Sequence, residues 1–174
     1  MLTASNTTQK VLLSLAFWSL VLSGICSQGE KVEHGRAMMN EKETWAVSLA
    51  VSPSAQGVLA TVTFANNGPV PAALYKWNAC AGDQIHNDVF EIMHESGSVP
   101  YIGKLVKRGE PTANDFLIVQ PGEKVSFKVD LRSAYRFPAD KHRYRIRYSA
   151  LNPYLGRTGF DALKSNEAAF EYSN

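Results

Sequence analysis

The chain has 174 residues, enough for one domain with a hydrophobic core, and its 18 basic and 16 acidic residues leave a formal net charge of +2. A charge so close to zero argues against nucleic-acid binding, which requires a strong basic excess. Two cysteines are too few for a disulfide-rich scaffold. The domain must therefore be held together by its apolar core.

The first 26 residues have the pattern of a secretory signal peptide. Lys10 is the only charged residue before the apolar run over residues 11–24, which is shorter than the roughly 20 residues that a membrane-spanning helix needs. Gly24 and Cys26 fit the small-x-small rule and predict cleavage after Cys26, and hence a secreted or periplasmic protein that is free of the membrane. Two alternatives stay open, an uncleaved membrane anchor and lipidation of Cys26, although Ile25 disfavours lipidation.

Cleavage after Cys26 would leave a mature chain with a charge of (18 − 1) − 16 = +1. Cys80 would then have no partner within the chain, which is typical of a small buried apolar residue. A redox or intermolecular role is the alternative. Residues 27–43 are polar and predict a flexible leader, so the folded domain is expected at residues 44–174.

From residue 44 onward, short stretches of period-2 alternation between turn residues predict an all-β domain. The clearest are residues 124–131 and 142–150, in which apolar residues alternate with charged ones. Further strands are predicted at residues 44–51, 58–65, 72–78, 88–94, 99–103, 115–119 and 166–172, the last at a sheet edge. This spacing is typical of an antiparallel β-sandwich, here with about 7–9 strands.

A corner pattern narrows the prediction to an immunoglobulin-like sandwich. Asp140 is followed by Tyr144, whose hydroxyl is expected to bond backbone groups at the corner, and by Ile146 at the position of a core cysteine. Trp77 is predicted to be the buried tryptophan of an earlier strand. Tyr135 is expected to have a corner role similar to that of Tyr144.

The sequence contains no local catalytic motif, and it predicts no metal site and no cofactor. His94 and Glu95 begin an HExxH zinc motif, but Ser98 occupies the place of the second histidine. The histidines are scattered, with no ligand spacing, and are predicted to be surface or turn residues. They are His34, His86, His94 and His142.

Two charged segments are candidates for partner binding. The arginines of the strand at 142–150 (Arg143, Arg145 and Arg147) predict a solvated sheet face paired with acids on a neighbouring strand, with an acidic partner as the alternative. Residues 104–111, which we call the basic loop, join two predicted strands, and exposed loops commonly bind partners. Its candidate contact residues are Lys104, Lys107, Arg108 and Glu110, and a solvated connection is the alternative.

A set of short motifs keeps a characteristic order along residues 43–174. They are Lys76-Trp77-Asn78, Asp88-Val89-Phe90, Val99-Pro100-Tyr101-Ile102-Gly103-Lys104, Lys107-Arg108-Gly109-Glu110-Pro111, Asp115-Phe116, Pro121-Gly122-Glu123, Val129-Asp130-Leu131 with Tyr135, and Ser165-Asn166-Glu167. Together they resemble the non-catalytic β-sandwich domain that precedes the protease domain in deuterolysin-like (aspzincin) metallopeptidases, including peptidyl-Lys metalloendopeptidases.

The resemblance implies a propeptide-like domain rather than an enzyme. The family's zinc helix with HExxH and its Gly-Thr-x-x-Asp segment belong to a following domain, and neither motif occurs in this sequence. No catalytic residue therefore carries over. The implied function is a secreted inhibitor or folding assistant whose protein partner is a secreted metallopeptidase. The alternative is a structural or adhesive envelope module with an unrelated protein partner.

Overall fold

A computed structural model describes residues 44–174, all of which belong to one compact unit. The predicted signal peptide and leader, residues 1–43, lie outside the described residues. Within residues 44–174 no helix has the length and apolar character needed to cross a membrane.

The described residues form an all-β domain of ten strands, one more than the upper end of the predicted range. The strands are β1 (Trp45–Ser54), β2 (Gly57–Asn66), β3 (Ala72–Tyr75), β4 (Phe90–His94), β5 (Gly97–Ser98), β6 (Phe116–Val119), β7 (Lys124–Asp130), β8 (His142–Pro153), β9 (Phe160–Lys164) and β10 (Ala168–Tyr172). Two single-turn 3-10 helices, Ala113–Asp115 and Leu131–Ser133, precede β6 and follow β7.

The strands pair antiparallel in an immunoglobulin-like sandwich. One sheet has the order β1-β2-β7, and the other has the order β10-β8-β4-β5, with β9 also paired to β8. These orders correspond to strands A-B-E and G-F-C-C′ of the immunoglobulin fold. Strands β3 and β6 form a separate two-stranded ribbon. As predicted, the last strand lies at a sheet edge.

The core lies between the two sheets and follows from the alternation of the sequence. Val58, Val62 and Phe64 point inward from β2 and are fully buried. The ring of Phe64 meets the ring of Tyr148 on β8 edge-on, with 5.3 Å between the ring centroids. This edge-on geometry is favourable for an aromatic pair. Because β2 and β8 belong to different sheets, the contact joins the two sheets.

The predicted strands are confirmed in most places and wrong in two. Residues 99–103 form no strand beyond a single bridge between Tyr101 and Tyr135, because Pro100 lacks the N–H that a ladder requires. The strand predicted over residues 72–78 ends at Tyr75, so Trp77 lies in a turn. Strand β9 was not predicted.

Two of the three arginines in the row of β8 are paired with acids on the neighbouring strands, as predicted, whereas Arg145 lies opposite Met93 of β4 and Ala169 of β10. Arg143 contacts Glu171 of β10 at 3.2 Å, and Arg147 contacts Glu91 of β4 at 3.1 Å. In both cases the two residues are direct cross-strand partners. These pairs account for Arg143 and Arg147 without an acidic ligand.

Cys80 is a buried free cysteine in the turn after Trp77. Its φ of 61° lies in the left-handed region, which non-glycine residues seldom adopt. Burial, and secondarily the charge of Asp83, raises the pKa of the Cys80 thiol to about 12. The thiol is thus protonated at neutral pH, as expected for a small buried apolar residue.

Candidate functional site

The basic loop, residues 104–111, presents apolar and charged side chains to solvent. Leu105 is 86% exposed and Val106 is 51% exposed. Lys104, Lys107 and Glu110 are exposed as well. Two adjacent apolar side chains in water, beside two lysines, form a small surface that a partner could cover.

The start of the basic loop is anchored to the body of the domain. Ile102 donates its backbone N–H to the carbonyl of Ala134 at 2.7 Å. The hydroxyl of Tyr101 donates to the carbonyl of Lys104 at 3.3 Å. A Cβ at Gly103 would collide with the far end of the Tyr101 side chain, so a larger residue here would require the Tyr101 ring to shift.

Arg108 anchors the other half of the loop. Its guanidinium lies over the ring of Trp77, 4.3 Å from the centroid, in a cation–π contact. It also donates to Oδ1 of Asn87 at 3.2 Å. The structure therefore separates the four predicted contact residues: Lys104, Lys107 and Glu110 are exposed, whereas Arg108 faces the domain and holds the loop.

Trp77 is half-buried and belongs to this anchor, which corrects the prediction of a core tryptophan. Its indole N–H donates to Oδ1 of Asp115 at 2.9 Å. Oδ2 of Asp115 accepts the backbone N–H and the hydroxyl of Thr112, each at 2.8 Å. These bonds, with the Thr112 backbone N–H as the largest contribution, lower the pKa of Asp115. Trp77, Arg108, Asp115, Asn87 and Thr112 form what we call the anchor network.

The two predicted corner tyrosines differ from each other. The hydroxyl of Tyr135 accepts the backbone N–H of Phe90 at 2.9 Å and donates to Oδ1 of Asp88 at 2.7 Å. Tyr144, in contrast, has a buried hydroxyl with no hydrogen-bond partner. The backbone bonds expected of Tyr144 are therefore absent. Asp140 is exposed before β8, and Ile146 is buried within β8.

A second group of polar residues, His94, Glu95 and His142, lies where β4 ends beside the start of β8, and we call it the histidine cluster. Nδ1 of His142 is 3.2 Å from Oε2 of Glu95, and Nδ1 of His94 is 4.0 Å from the same oxygen. One ligand atom from each residue lies within 4.8 Å of the other two. Such a set can hold a metal ion.

The histidine cluster contradicts the prediction that these two histidines are surface or turn residues. The side chains of His94 and His142 are 10% and 21% exposed, and both residues are in strands. The antiparallel register pairs Met93 with Arg145, which places His142 diagonally across from His94 on the same face. Only the pairing of two distant strands brings these histidines together, and the predicted strands alone did not specify that pairing.

Comparison with known proteins finds a relationship to part of a protease. No family model matches the chain. A stretch of 124 residues, 71% of this chain, is 27% identical to an extracellular protease of Aeromonas hydrophila and covers 34% of that protein. The chain thus spans about a third of the length of the relative that it matches. This similarity supports a protease-related domain and is compatible with a secreted protein.

Proposed function

We propose that this protein is a secreted, non-catalytic binding protein that acts on a metallopeptidase as a propeptide-like inhibitor or folding assistant. The observation that carries the proposal is the exposure of Leu105, 86%, on a loop anchored in both halves. Covering an exposed leucine stabilises a complex by about 1.5–3 kcal/mol. A loop that is already ordered loses little conformational entropy on binding.

The sequence relationships support a peptidase as the partner. The chain is similar to about a third of an extracellular protease, and its motifs resemble the domain that precedes the catalytic domain in deuterolysin-like metallopeptidases. Neither zinc-protease motif of that family occurs in the sequence. A chain that resembles such a companion domain and lacks the catalytic motifs is suited to bind a peptidase rather than to cleave peptides.

The basic loop supplies the contact in this proposal. Leu105 and Val106 would enter an apolar part of the peptidase cleft, while Lys104 and Lys107 would face acidic groups at its rim. Arg108 would act indirectly, because its guanidinium lies on Trp77 and positions the loop. The apolar pair should therefore contribute most of the affinity and the lysines a smaller, salt-dependent part.

The test measures peptide hydrolysis by a secreted deuterolysin-like metallopeptidase in the presence of increasing amounts of this protein, and the refolding yield of the denatured peptidase. We expect inhibition, a higher refolding yield, or both. Leu105→Asp/Val106→Asp should weaken the effect about tenfold or more. Lys104→Ala/Lys107→Ala should weaken it less, and mainly at low salt.

Val70→Asp is the matched control, since Val70 is an exposed valine outside the basic loop. This variant should act as the unchanged protein does. If the unchanged protein affects neither activity nor refolding, the metallopeptidase partner is wrong and a structural or adhesive module is favoured. If Leu105→Asp/Val106→Asp retains full effect, the basic loop is not the contact.

A further inference from the structure

We infer that the histidine cluster (His94, Glu95 and His142) binds a divalent transition-metal ion, with Zn²⁺ the best match. Two imidazoles and one carboxylate form a set of three protein ligands that zinc commonly adopts with a fourth, open position. Calcium and magnesium prefer sites built from oxygen ligands. The inference is independent of the proposed function, because none of the three residues belongs to the basic loop or the anchor network.

One distance within the cluster is near that of a tetrahedral zinc site, and a second is longer. Zn–N and Zn–O bonds of about 2.0–2.2 Å place neighbouring ligand atoms roughly 3.3–3.5 Å apart. Here Oε2 of Glu95 is 3.2 Å from Nδ1 of His142 and 4.0 Å from Nδ1 of His94. The side chain of Glu95 is 60% exposed, so a small rotation can bring its carboxylate to both histidines.

An unpartnered buried nitrogen points to a missing ligand at this place. Nδ1 of His94 is buried and has no hydrogen-bond partner, and 4.0 Å from Glu95 is too long for a hydrogen bond. A buried polar atom left in this condition is destabilising. Coordination by a metal ion would satisfy Nδ1 of His94 and would join His142 and Glu95 to it.

The surrounding contacts favour a cation. The backbone N–H of Arg143 donates to Oε1 of Glu95 at 3.2 Å, which orients the carboxylate and leaves Oε2 toward the histidines. Two nearby side-chain cations are already paired: Lys141 and Arg143 contact Glu171 at 2.8 and 3.2 Å. A bound ion would connect the end of β4 to the start of β8.

The experiment removes bound metal from the full chain with a chelator and then titrates the protein with Zn²⁺ by calorimetry and with Co²⁺ by visible absorption. We expect one ion per chain at this site and the intense absorption of tetrahedral Co²⁺. His94→Ala and His142→Ala should abolish this binding. Glu95→Gln changes a side chain that is 60% exposed and should weaken the binding about tenfold or more.

His86, a described histidine outside the cluster, provides the matched control, and His86→Ala should bind Zn²⁺ as the unchanged protein does. Folding of each variant is verified by circular dichroism. The inference is overturned if no saturable binding occurs, if the three cluster variants bind normally, or if the control variant loses the ion.

Discussion

Tyr135 and Tyr144 are both buried, yet their surroundings have opposite character. The hydroxyl of Tyr135 has two hydrogen bonds, one to the backbone N–H of Phe90 and one to Asp88. The hydroxyl of Tyr144 has none, and its ring lies against His94, with 5.8 Å between ring centroids. Among the described residues, the two buried side-chain polar atoms without a partner are this hydroxyl and Nδ1 of His94.

This difference separates polar groups that hold the fold from polar groups that are available for a ligand. A fully satisfied group such as Tyr135 stabilises the native state and is accounted for by that role. Unsatisfied buried groups cost stability and call for another explanation. Both unsatisfied atoms lie in or beside the histidine cluster. This region of the described domain is therefore the one where a ligand is most expected.

The greatest loss of stability is expected when the hydrogen-bonded hydroxyl of Tyr135 is removed. Tyr135→Phe would leave the buried N–H of Phe90 without its acceptor and remove the bond to Asp88. We expect a loss of about 2 kcal/mol in the free energy of unfolding, measured by urea denaturation. A loss below about 0.5 kcal/mol would mean that water replaces these bonds. The hydroxyl of Tyr135 would then not differ from that of Tyr144 in its contribution to stability.

A smaller effect is expected in the anchor network, and it depends on pH. Asp115 has a lowered pKa in the folded state, so its contribution to stability is complete above the ordinary pKa of an aspartate and is lost as the pH falls through the lowered value. Asp115→Asn should therefore reduce stability at neutral pH and cause little difference in strong acid. Urea denaturation at both pH values provides the test, and an equal loss at both would exclude the charge as the cause.

The least change in stability is expected when the hydroxyl of Tyr144, which has no hydrogen-bond partner, is removed. Tyr144→Phe removes a hydroxyl that has no partner and keeps the ring contacts with His94, His142, Phe137 and Phe170. Its stability in metal-free solution should stay within about 0.5 kcal/mol of the unchanged protein, or rise slightly. Urea denaturation of Tyr144→Phe and Tyr135→Phe side by side tests this expectation. Similar losses of stability in the two variants would show that the two hydroxyls do not differ in their contribution to the fold.

Much of the fold could be predicted because alternation along a strand is local information. Strand β7 begins at Lys124 as predicted, and β8 begins at His142 as predicted. The ion pairs of β8 followed from the same alternation, since Arg143 and Arg147 share the face away from the core. Strand β9 escaped prediction because Phe160 and Lys164 at its two ends are exposed and Leu163 is its single buried residue.

The side-chain chemistry was less accessible because it depends on pairing between distant segments. Arg108 was predicted to contact a partner, but the turn that carries Trp77 places an aromatic face beneath its guanidinium. His94 and His142 had no ligand spacing in the sequence, and the register between β4 and β8 brings them together. Trp77 was misassigned because β3 ends sooner than its apolar pattern indicated.

The buried thiol of Cys80 can serve as a natural probe of transient openings of the domain. The thiolate is the form that attacks thiol-modifying reagents, and burial, which raises the pKa of Cys80 to about 12, keeps the thiol protonated and covered while the domain stays closed. Each brief opening of the turn exposes the sulfur to reagent. The rate at which Cys80 is labelled at mildly alkaline pH therefore reports how often the turn opens, and no cysteine has to be introduced for the measurement.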